Sequence, residues 1–346
     1  MAVRNKLSPD LAYLIDSQET VPCPICHSDQ YQTLYQGDVK RGQVEITCVI
    51  CRNCTHMYLN PRPTVEAYSR FYDRDDYGRM ALAVKNKAYS ERAGIHEEMF
   101  FKERAGHGVR LYEQYLKGNL TKNDIVFDFG AGDGAWLYGL RDVTGCAIDG
   151  NEPMAIQVDF IRDRLGVEIF HAPIEELGPA VTQKYGGKVK LAIVSGSLQH
   201  MVDPMQCLKI ARDILLDDGY LYICNWDVLD RMASPAPNGK LFRENASIDH
   251  VHYFHENSYR YMVQKSGFDV LNFEPSSTIR YKPRHMEIFA KKASVLQEPT
   301  PIVSCDRILG RIAEMESAVK KYRIFSLRYR LHCVKKIVMD FLKSLR

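Results

Sequence analysis

The stretch Val126–Gly134, VFDFGAGDG, decides the fold of this chain of 346 residues. Its apolar first half predicts a short strand, Ile125–Phe129, and its second half predicts a tight turn that opens a helix. Gly130, Ala131 and Gly132 have small or absent side chains, so a ligand can approach the backbone closely at the end of this strand.

Short strands and helices alternate after this motif. The alternation predicts an α/β fold in which a mostly parallel sheet, with an antiparallel last strand, is covered by helices on both faces. Ligands bind such sheets beyond the carboxyl ends of the strands. The further predicted strands are short apolar runs bounded by turn residues: Cys146–Ile148, Val167–Phe170, Leu191–Val194, Tyr220–Cys224, Phe268–Phe273 and Glu287–Ala290.

The composition excludes several classes of protein. The chain has 46 Lys and Arg against 43 Asp and Glu, a balance that argues against a protein whose main task is to bind phosphate backbones. No apolar run approaches the length of a membrane span, and the first residues lack the pattern of a secretory signal. Ten cysteines without an export signal favour a reducing compartment, so we expect the protein in the cytoplasm.

Two carboxylates accompany the glycine-rich turn. Asp128 stands beside the glycines, where it would repel a pyrophosphate but attract a cation. Asp149 comes at the predicted end of the next strand, where a carboxylate can accept hydrogen bonds from both hydroxyls of a ribose. Together they suit an adenosyl ligand that carries positive charge and no phosphate.

VFDFGAGDG and the later stretches GCAIDGNEPM, HAPIEEL and IVSGSLQHMVDP resemble the successive motifs of class I S-adenosylmethionine-dependent methyltransferases over residues 121–293. The resemblance implies a Rossmann-like methyltransferase sheet and S-adenosylmethionine as the cofactor. It implies these cofactor-binding residues: Asp128, Gly130 and Gly132 at the methionine moiety with Ala131 in the same loop, Asp149 at the ribose, Ala172, Pro173 and Ile174 at the adenine edge, and Ser195 and Gly196 at the far wall.

Two C-x-x-C pairs lie near the start of the chain. Cys23 and Cys26 precede Cys51 and Cys54 with 24 residues between the pairs. Four thiolates can complete the tetrahedron of a closed structural Zn²⁺ site. Cys48 is an alternative ligand by its spacing to Cys51, but its place in an alternating strand favours a buried, inert thiol.

This head resembles a zinc ribbon, and with the following MYLNPRPTVEAYSRFY it resembles zinc-ribbon methyltransferases of deoxysugar and surface-polysaccharide pathways. We divide the chain into a zinc-ribbon head (1–62), a helical connector (63–120), the cofactor-binding methyltransferase core (121–293) and a basic helical tail (294–346). Metal binding would supply much of the folding free energy of so small a head.

Histidines at the carboxyl end of the sheet are the candidate bases. His200 follows the fourth strand, and Asp249–His250 resembles the Glu-His pair of sugar C-methyltransferases, in which the histidine is the base. We therefore assign catalysis to His250, with His200 and Asp249 beside it. That family has a tyrosine two residues before the pair where this chain has Ser247, so O-methylation is expected at least as much as C-methylation. His252 and His255 are expected to pack the last helix on the sheet.

The tail is basic, since residues 304–346 hold 11 Lys and Arg against 4 Asp and Glu. Its apolar residues follow helical spacing that would suit an anionic membrane surface or a partner helix, and packing on the protein's own core or on a second subunit is the alternative. The spaced residues are Ile308, Ile312, Met315, Val319 and Tyr322 in the first half, and Lys335, Lys336 and Lys343 among apolar residues in the second.

The sequence therefore predicts an enzyme that moves the methyl group of S-adenosylmethionine to a small-molecule sugar or nucleotide sugar, or to a surface glycan. A methyltransferase of ribosomal or transfer RNA is the first alternative, although residues 1–60 carry 5 Lys and Arg against 6 Asp and Glu and show no basic stripe. A scaffold that binds the cofactor without catalysis is the second.

Overall fold

The computed structural model describes residues 11–39, 44–84, 98–233, 240–275, 285–295, 299 and 301–325. The strands in these ranges are β1 (Gln18–Glu19), β2 (Tyr31–Asp38), β3 (Glu45–Cys51), β4 (Met57–Leu59), β5 (Arg62–Pro63), β6 (Ile125–Phe129), β7 (Ala147–Asn151), β8 (Val189–Ser195), β9 (Leu215–Trp226), β10 (His252–Tyr253), β11 (Phe268–Pro275) and β12 (His285–Lys292). The α-helices are α1 (Ala12–Asp16), α2 (Val65–Asp73), α3 (Asp76–Val84), α4 (Glu98–Leu111), α5 (Ala135–Thr144), α6 (Ala155–Leu165), α7 (Ile174–Tyr185), α8 (Pro204–Ile214), α9 (Val228–Met232), α10 (Glu256–Lys265) and α11 (Cys305–Phe325).

The central sheet has the strand order β11-β12-β9-β8-β6-β7. Its middle strands run parallel to one another, and β12, the last strand in the sequence, runs antiparallel to both of its neighbours. Strands β6 and β8 are almost entirely buried, as strands covered on both faces must be. The predicted α/β fold with an antiparallel last strand is confirmed.

Two glycines let α4 pack closely on α5 and so attach the helical stretch before the core to the sheet. A Cβ on Gly139 would lie 2.0 Å from the carbonyl oxygen of Ala105, and one on Gly108 would lie 2.4 Å from that of Trp136. Since any side chain at these positions would push the helices apart, the glycines fix how α4 lies against the first helix of the core.

The predicted third strand, Val167–Phe170, is reduced to one bridge between Phe170 and Asn151. The Phe170 amide donates to the Gly150 carbonyl at 3.0 Å, and the Glu152 amide donates to the Phe170 carbonyl at 3.0 Å. Only one residue of this segment is buried, so an extended pairing would remove little apolar surface from water.

The N-terminal head forms a second sheet with the order β10-β4-β3-β2. Strands β2, β3 and β4 come from the head, whereas β10 comes from the segment that precedes α10 of the core. The head's sheet is therefore completed by a strand about 190 residues away in the chain. The four domain limits remain predictions.

Helix α11 packs on the head side of the molecule. Ile308 and Ile312 are buried in the same apolar cluster as Leu14 and Met57, with Met315 packed against it. This half of the tail covers the protein's own surface. Lys335, Lys336 and Lys343 lie outside the described residues. None of the helices in the described ranges has the length and hydropathy of a membrane-spanning segment.

Candidate functional site

The glycine turn after β6 is shaped for close approach by a ligand. Gly130 and Gly132 have φ angles of 77° and 57°. The amides of Gly130 and Ala131 donate to the Asn151 carbonyl at 3.0 and 2.9 Å, which ties the turn to the end of β7. No atom of the described residues lies within 4 Å of the place a Cβ on Gly132 would take, so the turn leaves an open cradle.

Asp128 gives this cradle its electrostatic character. Its side chain is buried at the end of β6, and its Oδ1 has no hydrogen-bond partner among the described residues. Burial, together with the nearby carboxylates of Glu152 and Asp133, raises the pKa of Asp128 well above its ordinary value. A cationic ligand would relieve this concentration of negative charge, so the cradle fits the sulfonium and ammonium groups of S-adenosylmethionine.

Glu152, which the sequence analysis did not single out, lies directly against the turn. Its Oε2 accepts from the Gly132 amide at 2.9 Å and its Oε1 accepts from the Met154 amide at 3.0 Å. These bonds hold the carboxylate beside the cradle, and a carboxylate oxygen can accept more than one hydrogen bond.

Asp149 faces a different neighbour. Its Oδ2 accepts from Lys184 Nζ at 2.8 Å and from the Tyr185 hydroxyl, both on α7, while Oδ1 accepts from the Gly150 amide. The predicted strand ends at this residue, but β7 continues through Asn151, so Asp149 lies two residues inside the strand. The structure brings Asp128 and Glu152 together at the turn and leaves Asp149 engaged with α7.

The remaining predicted cofactor residues border the same end of the sheet. Asn151 Nδ2 donates to the Ala172 carbonyl at 3.1 Å, and Pro173 and Ile174 then begin α7. Ser195 ends β8, and Gly196 follows with a φ of 68° and open space where a Cβ would stand. The loops after β6, β7 and β8 thus lie at one edge of the sheet, and the cofactor roles of these residues remain predictions.

The three predicted catalytic residues lie together. Asp249 is fully buried between the two histidines, with Oδ2 at 3.9 Å from His200 Nδ1 and 3.8 Å from His250 Nε2. His200 Nδ1 lies 2.6 Å from the Asp249 carbonyl, so Nδ1 carries the proton and donates to that oxygen. The two imidazole rings meet edge to face at 4.8 Å between centroids.

A cavity opens beside His250. The cavity is small, and its lining includes Gln199, Asn225, Trp226, Arg231 and His250. Amide, guanidinium and imidazole groups of this kind suit a hydroxyl-rich ligand.

Two further histidines near this cavity are held neutral by the protein. Burial lowers the pKa of His252 to about 3 and that of His255 to about 4. Each bonds to the residue stretch after Cys54, since His252 Nδ1 lies 3.0 Å from His56 Nε2 and His255 Nε2 donates to the Thr55 carbonyl at 2.9 Å. Both are poor proton acceptors near neutral pH, in agreement with the packing role predicted for them.

The four predicted metal ligands converge. The Sγ atoms of Cys23, Cys26, Cys51 and Cys54 lie within 4.8 Å of one another. The Cys23–Cys54 and Cys26–Cys51 distances between Sγ atoms are both 3.5 Å. Thiolates around a tetrahedral Zn²⁺ are about 3.8 Å apart, given Zn–S bonds of about 2.3 Å. The donor set therefore fits a closed structural zinc site with no position left for a substrate.

Both pairs adopt the same backbone turn. The amide four residues after the first cysteine donates to that cysteine's carbonyl, at 2.8 Å for His27 and 3.0 Å for Thr55. These two residues have φ angles of 60° and 64°, which non-glycine residues adopt rarely. The repeated geometry turns each C-x-x-C pair toward one point. Cys48 is buried in the opposite apolar cluster and is not part of the group of four.

Sequence reasoning missed Glu152 and the cavity residue Trp226. An acidic residue directly before Pro153 at the true strand end was the available signal for Glu152. Trp226 ends the long strand β9, and nothing in its local sequence marks the approach of His250, whose ring lies 5.5 Å away between centroids.

A parallel sheet whose first strand ends in a buried acid and a glycine cradle, with an antiparallel last strand, defines a class I S-adenosylmethionine-dependent methyltransferase. Residues 95–272 match the family model described as methyltransferase domain, and the chain belongs to this family. It is an enzyme that uses S-adenosylmethionine.

A search of curated proteins found no match. Solved structures of methyltransferases are similar to this chain at low identity. An S-adenosylmethionine-dependent methyltransferase of Archaeoglobus fulgidus is 17% identical over 58% of this chain and 99% of its own, with a TM-score of 0.42. Geranyl diphosphate C-methyltransferase of Streptomyces coelicolor A3(2), with S-adenosyl-L-homocysteine bound, is 16% identical over 54% and 75%, with a TM-score of 0.42. The 1,6-didemethyltoxoflavin-N1-methyltransferase of Burkholderia thailandensis is 14% identical over 70% and 97%, with a TM-score of 0.45.

Proposed function

We propose that this enzyme methylates a sugar, either free as a nucleotide conjugate or within a surface glycan, and that His250 is the base. The observation that carries the proposal is the cluster of His200, Asp249 and His250 beside a cavity whose lining includes the polar side chains of Gln199, Asn225 and Arg231. A sugar hydroxyl, or a carbon next to a ketone, is a poor nucleophile until a base takes its proton.

On the donor side, the chain's residues bind and orient. Asp128 accepts the positively charged methionine end, and the cradle at Gly132 admits it without a clash. We assign the ribose hydroxyls to Glu152, whose carboxylate lies at the turn, in place of Asp149. When bound, S-adenosylmethionine supplies an electrophilic methyl group, so the enzyme's main tasks are alignment of the acceptor and removal of its proton.

On the acceptor side, Asp249 prepares His250 for its task. The buried carboxylate 3.8 Å from His250 Nε2 stabilises the imidazolium that forms when His250 takes a proton. His200, which donates to the backbone of Asp249, positions that residue from the other side. The Ser247 hydroxyl contacts Asp249 Oδ1. Ser247 stands where the resembling sugar C-methyltransferases have a tyrosine, and in this chain it holds the Asp249 carboxylate. This arrangement serves O-methylation and C-methylation alike.

The experiment is incubation of the enzyme with methyl-labelled S-adenosylmethionine and a panel of nucleotide sugars beside total RNA. We expect label in the sugar pool. Substitution His250→Ala should lower turnover by about 10²- to 10⁴-fold, the usual contribution of a general base, while donor affinity stays nearly unchanged. Label in RNA alone would overturn the sugar assignment, and persistent turnover in His250→Ala would overturn the base assignment.

A further inference from the structure

The second cysteine pair is joined to the acceptor side of the active site by a continuous set of polar contacts. Thr55, the residue after Cys54, is fully buried. Its carbonyl accepts from His255 Nε2 at 2.9 Å, and its hydroxyl accepts from Asn257 Nδ2 at 2.7 Å. The metal-site turn therefore holds the first turn of α10 by two side-chain hydrogen bonds.

The next residues continue this connection. His56 Nε2 and His252 Nδ1 lie 3.0 Å apart in a fully buried pair, and β4 pairs with β10 in antiparallel register. The Leu59 amide then donates to the Val251 carbonyl at 2.9 Å. Residues 55–59, directly after the last cysteine, thus contact residues 251–257, directly after the proposed base.

The segment 251–257 is also bonded to a residue that lines the cavity. The Val251 amide donates to the carbonyl of Gln199, which lines the cavity, and the preceding residue is His250. The glycine turn after β6, on the donor side, is held by Asn151 and Glu152 of the core. The glycine turn of the donor site is therefore held by the core, whereas the segment before α10 on the acceptor side is held by the residues that follow the last cysteine.

We propose that the four-cysteine centre positions the acceptor side of the active site, with Thr55 and His56 as positioning residues, and that it leaves donor binding to the core. Four thiolates would close the coordination of a bound zinc ion, so its influence on the acceptor side would pass through these hydrogen bonds. The inference rests on the proposed site at His250, but the hydrogen-exchange measurement that tests it involves no chemistry.

The first experiment compares zinc-loaded enzyme with the same enzyme after chelation and after zinc is returned. We expect amide protection in residues 251–257 to fall by about tenfold or more on chelation and to recover with zinc. The affinity for S-adenosylhomocysteine, measured by calorimetry, should change by less than about threefold. Unchanged protection at 251–257 would overturn the proposal, and so would a parallel loss of donor affinity, because the metal would then support the whole fold.

The second experiment keeps the metal and removes one contact. Thr55→Val deletes the hydroxyl that Asn257 donates to, and Thr47→Val makes the same change in β3 of the head's sheet as a control. We expect both variants to hold one zinc, and only Thr55→Val to speed exchange at residues 255–257, by about threefold or more. Equal exchange in the two variants would contradict a positioning role for Thr55.

The two proposals fail in different ways. If His250→Ala retains turnover but chelation still lowers amide protection at residues 251–257, the base assignment is wrong and the positioning role of the four-cysteine centre stands. If His250→Ala abolishes turnover but amide protection at these residues does not change on chelation, only the proposed positioning role is wrong.

Discussion

The assignment of the ribose to Glu152 instead of Asp149 can be tested with one pair of variants, Glu152→Gln and Asp149→Asn. Each change removes a charge and keeps the size of the side chain. Glu152 lies against the Gly132 amide, whereas Asp149 bonds to Lys184 and Tyr185 on α7.

The expected magnitudes follow from these contacts. A hydrogen bond to a charged group contributes about 1.5–3 kcal/mol, so Glu152→Gln should weaken the binding of S-adenosylhomocysteine by about 10- to 150-fold. In Asp149→Asn the Lys184 partner is more than half exposed, so the lost ion pair contributes about 1 kcal/mol or less. The loss of the buried Tyr185 bond adds about 1 kcal/mol. This variant should therefore lose stability with donor affinity almost unchanged.

Calorimetry with S-adenosylhomocysteine measures the first effect, and urea unfolding of the free enzyme measures the second. Both variants are compared with the wild type in the same buffer. A larger loss of donor affinity in Asp149→Asn than in Glu152→Gln would refute the reasoning and return the ribose to Asp149.

Two other perturbations have defined outcomes. Gly166→Ala has a φ of 66° and open space, so it should lose about 1–2 kcal/mol of stability in urea from backbone strain alone. Gly130→Ala has a φ of 77° and also places a Cβ 2.7 Å from Ser197 Cβ, so it should lose more stability than Gly166→Ala and should be the only one of the two to lose donor affinity in calorimetry. The pKa of His255 is about 4 in the folded protein, against an ordinary value near 6.5. As the pH falls, the unfolded chain therefore binds a proton at this residue before the folded protein does. The stability that is present above pH 6.5 is lost between about pH 6.5 and 4. His255→Gln should make urea-unfolding free energies fall less steeply in this window, by about 1.4 kcal/mol per pH unit, and an unchanged slope would contradict the lowered pKa.

Local chemistry made part of the structure predictable. The apolar run before the glycines gave β6 its observed bounds, Ile125–Phe129. Asp203 caps α8 by accepting from the amides of Met205 and Gln206, and Asp directly before a first-turn proline is a local N-cap pattern. The four cysteines converge as their spacing requires. In each case the determining residues are close in sequence or belong to one repeated motif.

The errors in strand bounds arose where Asp, Asn and Gly residues inside a strand resembled a turn. The Asp-Gly-Asn run after Ile148 suggested a strand end, yet these residues pair with β6 and remain in β7. The predicted strand Tyr220–Cys224 begins too late, since the exposed Asp217 and Asp218 also lie within β9. The long-range strand pairing could not be predicted from the sequence either, since no local pattern indicates that β10 joins the sheet of the head. The link between the cysteines and the acceptor side depends on that pairing.

The shared sheet also limits how the protein can be divided in the laboratory. A fragment that begins after the head would expose the edge of β10 and the apolar surface that now lies under β4, and open strand edges promote aggregation. The cysteine-bearing head, made alone, would lack its outer strand. An exchange of heads between relatives therefore requires that residues 251–257 be transplanted together with the incoming head.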